Sequence, residues 1–291
     1  MSEFSEQLRA AFKAGDDVRD AGLTTPEDVV RADDIVYGGD PRWQVLDLYR
    51  PRSAEGETLP VIVSVHGGGW VYGDKERYQF YCMDLARRGF AVVNFTYRLA
   101  PDHKYPAPLE DTNLVFAWVQ DNAARHGLDR SRVFAVGDSA GANILGLYAA
   151  ICTNPAYAAL YDFRPPEGFA PRAVALNCGA YVQEIRTGMG AALMGDYLPG
   201  GGTAEELERL NVTAHITPDY PPVFLMTAVD DMVKEQAPLL AAALTARDVP
   251  FIYRLYGDKT NRLAHVFHCN IRSEAARVCN DEECAFFREF L

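Results

Sequence analysis

The sequence predicts an α/β fold, a mostly parallel sheet with helices on both faces, in one domain that carries a small helical cover. Three observations support this. Short apolar runs at 60–65, 91–96 and 132–136 have the density of strands buried on both faces. Helix-type segments separate them. Two glycine-bearing motifs stand where the first and third of these runs end.

In chain order, residues 4–20 read as a helix. Thr25-Pro26-Glu27-Asp28 reads as a second helix start with Thr25 as its cap. Residues 45–49 form an expected strand with Asp47 on its polar face. The buried strand 60–65 is followed by a helix over 77–88 that Gly89 stops. Strand 91–96 leads to a helix from 109 to 126, ended by Gly127, and strand 132–136 to a helix over 139–152. Further strands are expected at 173–178, 223–228 and 251–256, with helices near 235–247 and 273–290. Between Gly179 and Pro222 the rhythm lapses into Tyr181, Met189, Met194, Tyr197 and the break Pro199-Gly200-Gly201-Gly202. Residues 181–220 are expected to form a lid together with the acidic N-terminal residues 1–30.

The 291 residues suit one large domain, or one domain with a small lid, and need no metal or disulfide staple. With a net charge of -12 and no stripe of Lys or Arg, nucleic acid and anionic membrane are not expected partners. No run reaches the length of a bilayer span, and Met1-Ser2-Glu3-Phe4-Ser5-Glu6 lacks the pattern of a secretory signal, so a cytoplasmic location is expected. The six cysteines show no metal-type pair and are expected to be reduced, with Cys269 the exposed one. No metal and no cofactor are expected.

Gly137-Asp138-Ser139-Ala140-Gly141 places a serine between a strand and a helix. In such a turn the glycines avoid clashes, and Ser139 Oγ is exposed at a helix N-terminus that favours negative charge. His66-Gly67-Gly68-Gly69-Trp70 follows strand 60–65. Three glycines pack nothing in a strand, but they let a backbone approach a ligand closely. The N–H groups of Gly68, Gly69 and Ala140 are the expected oxyanion donors. His66 and Gly67 are expected to support that loop, with the His66 ring bracing it rather than acting as a base. A nucleophile beside backbone donors is what acyl transfer requires.

These motifs resemble the α/β-hydrolase superfamily and, within it, the hormone-sensitive-lipase-like carboxylesterases. The resemblance rests on His66-Gly67-Gly68-Gly69-Trp70-Val71-Tyr72-Gly73, Tyr97-Arg98-Leu99-Ala100-Pro101-Asp102-His103, Tyr105-Pro106-Ala107, Asp111, Trp118-Val119 and the Ser139 pentad. It covers roughly 60–270 and is specific over 66–143. It implies a sheet of about eight strands and cofactor-free hydrolysis of short- or medium-chain acyl esters by a Ser-His-Asp triad. Two positions depart from the family pattern. Ala142 stands for a glycine, and Val266 stands for the small residue in the usual His-Gly-Phe, here His265-Val266-Phe267.

The superfamily order is nucleophile, acid, histidine. Asp230 and Asp231 both follow strand 223–228. The resemblance favours Asp230 as the acid, because Val233 lies three residues on, and Asp231 is the alternative. His265 matches the family histidine, with His268 its neighbour and rival. Trp70, Tyr72 and Phe267 are expected to line the pocket. The partner is a small-molecule ester, and oligomerisation is open. Acetylxylan and feruloyl esterases and arylformamidases share the framework and remain alternative readings. A non-catalytic ligand-binding descendant is a remote one.

Overall fold

Eight strands form one sheet in the order β1-β2-β4-β3-β5-β6-β7-β8. They are β1 Val29–Val36, β2 Val45–Pro51, β3 Leu59–Val65, β4 Ala91–Phe95, β5 Leu128–Asp138, β6 Val174–Asn177, β7 Val223–Ala228 and β8 Phe251–Tyr256. Among the described residues the β1–β2 and β2–β4 pairs are antiparallel, and the pairs among β3 to β8 are parallel. The computed structural model describes residues 2–184 and 188–291, with the Met189 side chain also outside the described set. Part of the expected cover segment 181–220, namely 185–187 and the Met189 side chain, therefore lies outside the described residues.

The helices are α1 Glu3–Asp20, α2 Lys75–Ala86, α3 Ala107–His126, α4 Ala140–Thr153, α5 Pro155–Ala158, α6 Met189–Tyr197, α7 Ala204–Leu210, α8 Val212–His215, α9 Gln236–Thr245 and α10 Glu274–Arg288. Their ends follow local chemistry. Asp74 caps α2 by accepting from Arg77 N–H at 2.9 Å. Gly127 ends α3 in the left-handed conformation, its N–H returned to Ala123 O. Thr203 and Glu206 form a capping box on α7.

Two buried apolar layers hold the sheet. One gathers Val61, Val63 and Val65 of β3 with α3 and α4. The other gathers Ile62, Phe134 and Phe224 with α2 and α10. Alternate residues of the same strands enter opposite layers, as the two-residue period of a strand requires.

One expected element is corrected. Residues 25–28 do not begin a helix. The chain turns there, Val29 N–H donating to Pro26 O at 3.1 Å, and enters β1. As the sheet's edge, β1 is half-solvated and carries Arg31, Asp33 and Asp34, so its sequence lacks the apolar density of a central strand.

Candidate active site

β5 delivers the chain to Ser139 and α4 takes it away. Ser139 sits between them at φ 53° and ψ -118°, a conformation that costs a non-glycine residue about 1–3 kcal/mol. Tight neighbours on both sides hold it there. A Cβ on Gly137 would lie 2.6 Å from Gly141 O, and one on Gly141 would lie 2.1 Å from Val65 O. The Ser139 N–H is fixed to Asn177 O at 2.9 Å.

The glycine loop after β3 lies alongside. Gly68 has φ +118°, and a Cβ there would lie 2.1 Å from Tyr72 O. Its carbonyl accepts from Val71 and Tyr72, which turns it into the protein. Among the described residues, the Gly68 and Gly69 N–H groups donate to no protein acceptor. Ala140 opens α4, where the first-turn N–H groups have no intrahelical partner.

Gly67 is tied by its N–H to Tyr78 Oη at 3.0 Å, and Tyr78 donates to Asp138 Oδ2 at 2.7 Å. Burial lifts Asp138 to about 6 despite that bond. His66 is fully buried and stacked on Tyr97 at 4.0 Å, its Nδ1 2.7 Å from Gly67 O. Burial lowers it to about 4, which keeps a neutral imidazole inside the loop.

His265 Nε2 lies 2.9 Å from Ser139 Oγ, and its Nδ1 lies 2.6 Å from Asp231 Oδ1. The histidine partner is therefore Asp231, and the expectation of Asp230 is corrected. Asp230 N–H donates to Leu263 O at 2.9 Å, and its carboxylate turns outward to pair with Arg262. Asp231, the next residue, points inward. Thr227 Oγ1 donates to its Oδ2 at 2.7 Å and Val233 N–H to its Oδ1 at 2.9 Å. Burial opposes the Asp231 charge, but the hydrogen bond and charge of His265 outweigh it and bring the carboxyl down to about 2. His268, the rival histidine, is fully buried away from the serine against Tyr81 and is lowered by burial to about 3.

Two cavities meet at Ser139 and His265. One, of about 250 Å³, is walled mainly by carbon, with Leu8, Trp70, Leu193, Met194 and Val233 among its lining. The other, of about 220 Å³, is lined by Asp16, Arg19, Tyr72, Tyr78 and Asp138. They share Phe12, Gly69, Ser139 and His265. Trp70 and Tyr72 thus line opposite lobes, as pocket residues. Phe267 lines neither; it packs on Tyr256 with ring centres 5.3 Å apart, and Val266 takes its place in the lobe that holds Tyr72. Val266 stands at φ 51°, a left-handed position in which a β-branched residue is strained. α1 closes the cavities from one side. Ser2 and Ser5 hydroxyls donate to Asp196 of α6, and Arg9 donates to Val71 O and Ala100 O at 2.6 and 2.8 Å.

Among the described residues, Asp138, His268 and Cys269 bring metal-type donor atoms together, as do Cys178, Asp231 and His265. The second set has its histidine and carboxylate already bonded to each other. All six cysteines are free thiols, and Cys269 is buried rather than exposed as expected. No described helix is long and apolar enough to cross a membrane.

The order strand, strained serine, helix, then a carboxylate and a histidine on later loops, is a nucleophile-activating arrangement suited to an acyl carbon. A family model described as alpha/beta hydrolase fold matches residues 62–269, and the chain belongs to that family. It is 31% identical over 212 residues to the carboxylesterase NlhH of Mycobacterium tuberculosis, covering 66% of this chain and 63% of that protein. It is 32% identical over 126 residues to esterase LipC of the same organism, covering 43% of this chain and 31% of that one. The matched region is thus under two thirds of either relative's length. Among solved structures, esterase B from Lactobacillus rhamnosis superposes with a TM-score of 0.89 at 27% identity, covering 99% of this chain and 95% of that one.

Proposed function

We propose that this protein is a serine carboxylesterase that cleaves short- or medium-chain acyl esters through an acyl-enzyme, as the hormone-sensitive-lipase-like enzymes do. The observation that carries the reading is the line Ser139 Oγ, His265, Asp231 at 2.9 and 2.6 Å, set where two cavities join beneath uncommitted glycine N–H groups. Esterase names among the relatives support it.

In this reading His265 Nε2 takes the Ser139 proton as Oγ attacks the ester carbonyl. Asp231 accepts from Nδ1–H, fixes the tautomer and stabilises the imidazolium. Gly68, Gly69 and Ala140 N–H groups receive the oxyanion, each worth about 3 kcal/mol in the transition state. The imidazolium protonates the departing alcohol, and water then cleaves the acyl-enzyme. The acyl lobe, at about 250 Å³, is smaller than the usual pocket for a drug-sized ligand and suits acyl chains of roughly C2 to C6. α1 and the 181–220 segment act as the lid.

A fluorophosphonate should label Ser139 covalently, and Ser139→Ala should abolish labelling and lower kcat by at least about 10³-fold with the fold kept. Retained activity in that variant would end the serine-hydrolase reading. A panel of p-nitrophenyl esters graded by acyl length, with acetylated and feruloylated sugars and formylkynurenine added, separates the ester reading from other acyl bonds. A maximum at C16 or on formylkynurenine would displace the short-chain ester assignment.

A further inference from the structure

The two lobes that meet at Ser139 both present mostly carbon but differ in the polar side chains that line them, and the difference concerns the part of the substrate that leaves. An acyl carbon bonded to Ser139 Oγ has one substituent to place in each lobe, since the lobes share only Phe12, Gly69, Ser139 and His265. A hydrocarbon chain belongs in the lobe walled by Leu8, Trp70, Leu193 and Met194. The alcohol portion then enters the other lobe, whose wall is α1.

That wall presents a fixed polar pair. Tyr72 Oη donates to Asp16 Oδ2 at 2.9 Å, and Arg19 Nη1 lies 2.9 Å from Asp16 Oδ1. The rest of the Arg19 guanidinium is spent. Its Nε and Nη2 donate to Asp20 at 2.8 and 2.7 Å, and Nη2 also reaches Arg77 O at 2.5 Å. Arg19 thus locks Asp16 in place without offering a free cation to an anion. The two Asp16 oxygens keep lone pairs beyond the bonds from Tyr72 and Arg19, and so does the Tyr72 oxygen. The lining carboxyls are Asp16 and Asp138, and Arg19 is the lining cation, with Arg77 close enough to act on Asp16 and Tyr72. The lobe therefore offers acceptors to a leaving group that carries hydrogen-bond donors.

Resting on the esterase reading, we propose that Asp16 and Tyr72 are specificity-determining residues that bind free hydroxyl groups on the alcohol portion of the substrate, so that the preferred esters are partial esters of polyols. A hydroxyl on the second or third carbon of the leaving alcohol donates to Asp16 or Tyr72, while a plain alkyl alcohol leaves both under-bonded. Burial raises the Asp16 carboxyl above its ordinary range even though Arg19 and Tyr72 pull it down. A carboxyl short of solvation in this way gains from one further donor.

The test compares two butyrate esters with the same carbon skeleton, 2,3-dihydroxypropyl butyrate and propyl butyrate, in the intact protein and in Asp16→Ala and Tyr72→Phe. The readout is the ratio of their kcat/KM values within each enzyme, so a general loss of activity cancels. The intact protein should favour the dihydroxypropyl ester about tenfold or more, the worth of one net hydrogen bond, and both variants should bring the ratio towards one. Equal ratios in the intact protein and both variants overturn the assignment. Fluorophosphonate labelling separates the two levels. If Ser139 labels and both esters are cleaved with a ratio near one, the polyol subsite falls alone. If Ser139 does not label and neither ester is cleaved, the esterase reading falls and the subsite with it.

Discussion

Two neighbouring aspartates at the end of β7 show what a single residue decides. Consecutive side chains leaving a strand point to opposite sides, so Asp230 and Asp231 cannot both face the histidine. A bridge between Asp230 and Ala264 spends the Asp230 backbone on the next loop and turns its carboxylate to Arg262. Asp231 is left to face His265, with Thr227 and Val233 N–H holding both its oxygens. Asp231→Asn should lower kcat by about 10⁴-fold, because an amide cannot hold the imidazole in the productive tautomer. Asp230→Asn loses only a surface ion pair and should stay within about threefold of the intact protein. Steady-state kinetics on a short-chain ester checks both, and a reversed order would return the acid role to Asp230. The motif spacing located the loop but not which of its carboxylates faces inward. That depends on the bridge to Ala264, a contact with residues 34 positions away. The placement of Ser139 was legible because it needs only the local turn, and the glycines that permit the turn lie two residues to either side. Val266 shows the opposite case. The sequence marks it as a departure from glycine, but its left-handed backbone at φ 51° is set by the surrounding loop.

At the scale of elements, the apolar density that revealed the central strands was absent from β1, whose edge position permits charged residues. α1 was legible as a helix and as part of the expected lid, but the residues that anchor it were not, since its partners are scattered over the chain. Its first turn is held to α6 by Ser2 and Ser5 on Asp196, its middle by Arg9 on two backbone carbonyls. Phe4, Leu8 and Phe12 lie on the cavity side. Hydrogen bonds to a charged group contribute about 1.5–3 kcal/mol each when partly buried. Asp196→Ala should therefore release the start of α1 while the sheet stays intact. Hydrogen exchange at residues 3–12 should rise by tenfold or more, about the effect of 1.4 kcal/mol, with β3 to β7 unchanged. The variant should also lose selectivity for acyl length, because the released helix no longer closes the acyl lobe. Unchanged protection in α1 would mean that Arg9 and the apolar contacts anchor it alone.

At the scale of the whole molecule, the C-terminal helix reaches Ser139 through a buried carboxyl. Glu283 of α10 is fully buried. It accepts from Tyr81 Oη at 3.1 Å and from Asn177 Nδ2 at 2.6 Å. Asn177 in turn accepts the Ser139 N–H, so α10, α2, β6 and the strained serine form one connected unit. Burial raises Glu283 to about 7, against an ordinary value of 4.5, because Tyr81 and Asn177 only partly replace water around the charge. The folded protein then holds a proton on Glu283 at pH values where the unfolded chain has released it. Stability from this group is fully present below about pH 4.5, falls as pH rises, and is gone above about pH 7. The loss is about 3 kcal/mol for a shift of this size. Asp138, raised by burial to about 6, adds a slope of the same sign over an overlapping range. Glu283→Gln keeps an amide oxygen to accept from Tyr81 or Asn177 and removes the titration. Buried neutral His66 and His268, lowered to about 4 and about 3, contribute stability that grows with pH over the same window, so the readout is a difference: the urea midpoint of Glu283→Gln relative to the intact protein should rise from pH 4.5 to about 7. Adding Asp138→Asn should widen that difference further between about pH 4 and pH 6. A difference that does not change with pH would show that Glu283 ionises at the same pH folded and unfolded, and that water or a cation reaches it inside the layer packed with α2 and α10.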